Sequence, residues 1–200
     1  MKRSVSTLYW TVLTTVGLGG GLVAGLIVGM PIGELVNAMI ATAAVTCLVG
    51  GVLGCAQAFG LRTMLQRPFW WILGTIVGLG LGLALGVVIV EQLGILITGI
   101  RPNVARLDPI SRAVSFIALG AVAGCLLGVA QWLVLRSQAP RIRGWVVTST
   151  TGLALSFCAS SVLLDLARVP IGSAFGAIAF VVTSSLLFGA ITSQPFQHAA

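Results

Sequence analysis

Residues 71–90 read Trp71-Ile72-Leu73-Gly74-Thr75-Ile76-Val77-Gly78-Leu79-Gly80-Leu81-Gly82-Leu83-Ala84-Leu85-Gly86-Val87-Val88-Ile89-Val90, with no charge among them. A helix crosses a hydrocarbon core in about 20 residues at roughly 1.5 Å each. The apolar run is continuous and does not alternate in period two, which argues against a membrane strand. Two features of this stretch recur elsewhere. Trp71, Thr75 and Gly78 repeat the spacing of Trp10, Thr14 and Gly17, and return as Trp145, Ser149 and Gly152. Gly74, Gly78, Gly82 and Gly86 stand four apart, on one helix face.

A second element repeats at an ungapped offset of 74. Gly50, Gly54, Gln57, Leu61 and Arg62 match Gly124, Gly128, Gln131, Leu135 and Arg136. Fixed-period similarity of this kind marks a copied supersecondary unit, here a pair of helices. Three tandem hairpins follow, over residues 8–61, 69–135 and 145–193, within a single transmembrane domain spanning 1–200. In the third copy, Pro170-Ile171-Gly172 aligns with Pro31-Ile32-Gly33 at an offset of 139. That register sets Phe196 opposite Gln57, so the third copy is read as truncated or diverged.

Composition agrees with a membrane protein. Hydrophobic residues are 58% of the 200 and charged residues 8%, against about 25% charged in an ordinary soluble domain. Six spans are expected, at 8–30, 35–61, 69–90, 113–135, 145–164 and 172–193, an all-α six-helix integral membrane bundle. Pro31, Pro68, Pro109, Pro140 and Pro170 fall in the gaps, where a residue that cannot donate to a helix belongs. Lys2 and Arg3 ahead of an apolar run resemble a signal peptide. The run is too long for one, and its pattern returns inside the chain, so it reads as the first membrane helix.

The net charge of +7 is placed on one side. Lys2, Arg3, Arg62, Arg67, Arg136, Arg141 and Arg143 share one face with no acidic residue, whereas Arg101, Arg106, Arg112 and Arg168 balance Glu34, Glu91, Asp108 and Asp165 on the other. The positive-inside rule then puts both termini in the cytoplasm. Basic loops lying on anionic lipid account for the charge, and no soluble module offers a nucleic-acid surface. Trp10, Trp70, Trp71, Trp132, Trp145 and Tyr9 cluster near the same ends and read as headgroup anchors.

Association in lipid depends on close packing, since helix and solvent are equally apolar. Helix 1 offers Gly17, Gly21, Gly25 and Gly29; helix 3 adds Gly74, Gly78, Gly82 and Gly86; helix 5 holds Thr148, Gly152, Ser156 and Ser160. The even helices answer with Thr46, Gly50 and Gly54, with Gly120, Gly124 and Gly128, and with Ser185, Gly189 and Ser193. These rows read as packing faces, though such a row can also line a pore.

Gln57 and Gln131 are the candidate polar intramembrane residues. Each shares its helix's glycine face, so the amide points into the bundle, either to an interhelical hydrogen bond or to a polar site on a pseudo-threefold axis. Arg62 and Arg136, about 7.5 Å further along at five residues of rise, either mark the interface or bind lipid phosphate. Glu91 and Asp165 read as solvated caps at the opposite end. Cys47, Cys55, Cys125 and Cys158 form no C-x-x-C pair and read as buried thiols behaving as small apolar residues. The one histidine, His198, is in the tail, so no intramembrane imidazole is offered to a haem or chlorophyll. No nucleophile–base pair, phosphate loop or metal-ligand spacing is found, and neither an enzyme nor a cofactor is expected. The connection from Glu91 to Arg112 is the longest, holding either an interfacial segment or an overlong third helix, and it is the expected docking place for a partner.

Gly124-Cys125-Leu126-Leu127-Gly128-Val129-Ala130-Gln131-Trp132-Leu133-Val134-Leu135-Arg136, with Gly54-Cys55-Ala56-Gln57 through Arg62, resembles a bacterial family of multipass proteins. That family is frequent in cyanobacteria and other phototrophs and carries tandem G-x-x-Q-W-x-x-L-R repeats. The likeness covers residues 50–160 most clearly, and the first copy departs from it with Ala58 where Trp132 stands. It implies topology and a bacterial cytoplasmic or internal photosynthetic membrane, and no activity. The threefold plan is also similar in outline to mitochondrial carriers, but their acidic–basic signature is absent. Two function classes remain: an accessory or structural subunit packing through glycine faces against other membrane subunits or itself, and a small transporter or channel with Gln57 and Gln131 lining the pathway. A subunit needs an exposed small-residue face, and a pathway needs a hydrated polar lining.

Overall fold

A computed structural model describes residues 6–35, 38–99, 107–138, 144–170 and 173–194. Among them are six α-helices and no strand: α1 (Thr7–Leu35), α2 (Ala38–Gly60), α3 (Pro68–Thr98), α4 (Pro109–Gln138), α5 (Trp145–Leu166) and α6 (Ala174–Thr192). Each contains a stretch long and apolar enough to cross a membrane. Large apolar side chains such as Leu81, Val88, Leu155 and Leu186 point outward and are about half exposed. A surface of this kind is stable against lipid and not against water.

Local chemistry sets the helix ends. Pro68 and Pro109 open α3 and α4, where a missing N–H leaves no bond unmade. The Asp108 carboxylate caps α4, accepting from the N–H groups of Ile110 and Ser111, both at 3.1 Å. Hydrogen bonds from the Ser111 side chain and from the backbone hold that carboxyl below the usual range. Ser173 caps α6 by accepting from the Gly176 N–H at 3.0 Å. Gly99 stops α3 in the left-handed conformation, φ 71°, its N–H returning to the Ile95 carbonyl at 2.8 Å. After α5 the same role falls to Arg168, φ 55°, while Val169 donates back to the Leu164 carbonyl at 2.9 Å.

Two expected boundaries move. The break at Pro31 does not occur, and α1 runs through it to Leu35. Proline is tolerated inside membrane helices because neighbouring groups and small backbone adjustments satisfy the freed carbonyl. α3 does not end at 90 but continues to Thr98, so Leu93, Ile95 and Leu96 belong to an overlong third helix. At 31 residues it is about 46 Å long, so it must tilt or project beyond a core of roughly 30 Å.

Each helix packs on the next in sequence, and α6 returns to α1, closing a ring. Glycines set the separations. A Cβ on Gly21 would lie 2.7 Å from Val49 Cα, and one on Gly82 would lie 2.6 Å from Ala123 Cα. Gly17, Gly21 and Gly25 of α1 meet α2, while Gly74, Gly78 and Gly82 of α3 meet α4. Gly152 of α5 faces Phe188 and Ile191 of α6, and Gly124 and Gly128 of α4 meet Ser149, Thr150 and Val146 of α5. Three contacts share one form: a Cβ on Gly54, Gly128 or Gly189 would lie 3.0, 3.0 and 2.9 Å from the Cα of Ile72, Val146 and Thr11. Each of those partners follows a tryptophan.

Several side chains differ from their expected places. Cys47 and Cys55 are exposed and Cys125 and Cys158 half-buried, so the thiols are not core residues. They lie away from the axis, and an outward thiol meets lipid as readily as an inward one meets protein. Asp165 is not a solvated cap. It pairs with Arg112 of α4 at 2.7 Å, with 21% of its side chain exposed, and a second Arg112 nitrogen donates to the Leu107 carbonyl at 2.6 Å. A carboxylate at that depth is stable when a facing cation neutralises it.

Candidate functional site

The ring axis is organised in layers. At the end carrying Arg62, Arg67 and Arg136, the three tryptophans that open α1, α3 and α5 converge. Trp10 stands edge-on to Trp145 with centroids 6.1 Å apart, and Trp71 tilts against Trp145 at 5.8 Å. Their exposures are 0%, 0% and 1%, so these three are axial core residues and not headgroup anchors. Trp70, Trp132 and Tyr9, by contrast, present exposed rings there. An indole packs well in a bundle interior when its N–H finds an acceptor, and two of the three do. Leu61, Leu65, Leu135 and Ala58 complete this closure.

Polar side chains stand against the tryptophans. Gln131 accepts from Trp145 Nε1 at 3.1 Å, and its own Nε2 donates to Thr75 Oγ1 at 2.9 Å and to Gln57 Oε1 at 3.1 Å. An indole N–H can only donate, which fixes the oxygen of Gln131 toward it. The Thr75 hydroxyl in turn donates a hydrogen bond to the Trp71 carbonyl at 2.9 Å. Trp10 Nε1 donates to Thr192 Oγ1 at 3.0 Å. Gln57, Gln131, Thr75 and Thr192 are 0–1% exposed.

The two glutamines singled out by sequence therefore meet, while Arg62 and Arg136 do not join them. Each arginine is exposed over an aromatic ring of its own hairpin end, Arg62 4.7 Å from the Phe59 centroid and Arg136 5.4 Å from that of Trp132. Thr75 and Thr192 were missed. Thr75 carried a signal, since it recurs with the tryptophans. Thr192 was hidden by the offset of 139. The contacts of Gly54 and Gly189 imply 135, one helical turn earlier, which sets Thr192 beside Trp10 as Gln131 is set beside Trp145. Phe196, the residue aligned with Gln57 by sequence, lies outside the described residues.

Beyond the polar layer, Leu53, Leu127 and Phe188, all at most 1% exposed, fill the axis. Past them opens an apolar cavity of about 220 Å³, walled by side chains such as Leu18, Leu22, Val49, Leu79, Leu83 and Phe157. Its polar fringe is Thr46 and Ser184, and Ser184 donates to Ser160 Oγ at 2.8 Å. Phe116, Phe157 and Phe180 cluster on one side of it, with centroids 4.8–6.4 Å apart. Among the described residues no three metal-ligating side chains come together. Comparison of the chain with protein-family models, curated proteins and solved structures finds no match.

Proposed function

We propose that the protein is a non-catalytic, carrier-like membrane protein that holds a small apolar molecule in its axial cavity. In this reading Gln57 and Gln131 belong to the closure of the path at the basic end and not to its lining. The observation that carries it is the cavity of about 220 Å³ inside the helix ring. An apolar cavity of roughly 150 Å³ in a soluble protein accepts benzene or xenon, and this partly open one, with its apolar walls, suits a hydrocarbon moiety of that class.

The same reading takes the three hairpins as copies of one unit around a pseudo-threefold axis, supported by the recurring glycine contacts at Ile72, Val146 and Thr11. It places the basic end and both termini in the cytoplasm, supported by the one-sided charge. The alternative, an accessory subunit of a larger complex or a self-associating one, called for an exposed face of small residues. The described glycine faces are mostly occupied within the chain. A partner would have to bind the leucine- and valine-rich exterior that lipid also covers.

The test is photolabelling of the purified full chain in lipid nanodiscs with an alkyl diazirine, mapped by mass spectrometry. Saturable labelling of Leu18, Leu83 and Phe157, removed by Val49→Phe, is expected. Labelling confined to outward residues such as Leu81 and Val88 would sink the proposal.

A further inference from the structure

The polar layer repeats one arrangement and breaks it twice. Gln131 shows it whole: from α4, one amide serves the indole of the following helix, Trp145, and the hydroxyl of the preceding one, Thr75. Gln57 is the α2 counterpart of Gln131 at the offset of 74, so the same arrangement would have it serve Thr14 of α1 and Trp71 of α3, but its Oε1 accepts instead from Gln131. On α6, Thr192 receives the Trp10 indole, and its shorter side chain leaves Ser149 of α5 without the amide that Thr75 enjoys. Three polar atoms remain unpartnered in residues of 0% exposure: Trp71 Nε1, Thr14 Oγ1 and Ser149 Oγ.

We propose that ordered water is bound at both breaks and is part of the closure. Beside Gln57, a water accepts from Trp71 Nε1–H and donates to Thr14 Oγ1 and to the second lone pair of Gln57 Oε1. Beside Thr192, a water joins Ser149 Oγ to Thr192 Oγ1, standing where the missing amide would reach. Buried polar groups without partners are costly, and a water with two to four such groups around it satisfies them. The buried tryptophan layer lies on one side of these groups and the buried Leu53, Leu127 and Phe188 on the other. The site is independent of what the apolar cavity holds.

Two measurements decide this. In full chain labelled with ¹⁵N at the indoles, the Trp71 Nε1–H should show a rotating-frame cross-peak of nuclear-Overhauser sign to water. The Trp145 Nε1–H, bonded to Gln131, should show none and serves as the reference. A Trp71 signal with no water contact overturns the proposal, and this test needs no variant beyond Trp71→Phe for assignment. Separately, Thr14→Val and Ser149→Ala remove a hydroxyl with little change of shape. If water is bound, each lowers the thermal midpoint by about 2–4 °C. A rise, or no change, means that a dry unpaired hydroxyl was removed, and the proposal fails.

Discussion

Gln57 and Gln131 hold matched positions in the sequence, yet their environments differ. Gln131 makes three side-chain hydrogen bonds, to Trp145, Thr75 and Gln57, whereas Gln57 makes the one with Gln131. Polar contacts between membrane helices average about 0.6 kcal/mol and reach roughly 1.7. Gln131→Leu should therefore destabilise the fold by about 2–4 kcal/mol, since it also strands the Trp145 N–H. Gln57→Leu should cost about 0.6–1.7 kcal/mol. Denaturant unfolding in mixed micelles measures both. Equal losses would mean that the two amides are equivalent and that the described asymmetry is not a property of the protein. From sequence the glutamines could be placed on an inward face, because an amide in hydrocarbon needs a protein partner. Their unequal partnering is not legible there, because the flanking sequences match at the offset of 74 and only the assembled ring sets Thr75 and Trp145 against Gln131.

At the scale of elements, glycines differ sharply in what a methyl group would meet. A Cβ on Gly82 would fall 2.6 Å from the Ala123 Cα, a backbone atom that cannot move alone, whereas one on Gly19 meets nothing within 4 Å. Gly82→Ala should force α3 and α4 apart and cost about 1–3 kcal/mol. Gly19→Ala should be neutral or stabilise by up to about 1 kcal/mol through helix propensity. Thermal unfolding of the two variants side by side is the check, and a tolerated Gly82→Ala would contradict the α3–α4 packing. The fourfold glycine spacing was legible in the sequence and pointed to a packing face. Pro31 misled because proline usually ends a helix, while α1 runs through it to Leu35.

For the whole molecule the decisive features are closure and sidedness. α6 packs on α1, so the chain forms a ring with its own interior and leaves no end helix unpaired. The layers along the axis differ from end to end: three tryptophans and their polar partners near the basic loops, then a leucine–phenylalanine layer, then the cavity. Orientation is argued from charge, and it is testable directly. With the four native cysteines replaced by alanine, Asp108→Cys in intact bacteria should react with a membrane-impermeant maleimide, and Thr63→Cys only after lysis. The reverse pattern would invert the protein and place the cavity nearer the cytoplasm.

Chain length, continuous apolarity and the scarcity of charge were enough to specify six membrane-crossing helices, because a segment of that kind has no stable alternative in water. Direction within the membrane was not available in the same way. Lipid outside is as apolar as the protein inside, so hydrophobic periodicity cannot tell an axial leucine from a lipid-facing one. Only small and polar residues carry that information. Trp10, Trp71 and Trp145 were therefore misread as interfacial anchors and the cysteines as core. The assembled ring alone decided that the tryptophans meet on the axis, that Thr192 joins them, and that a cavity opens beyond.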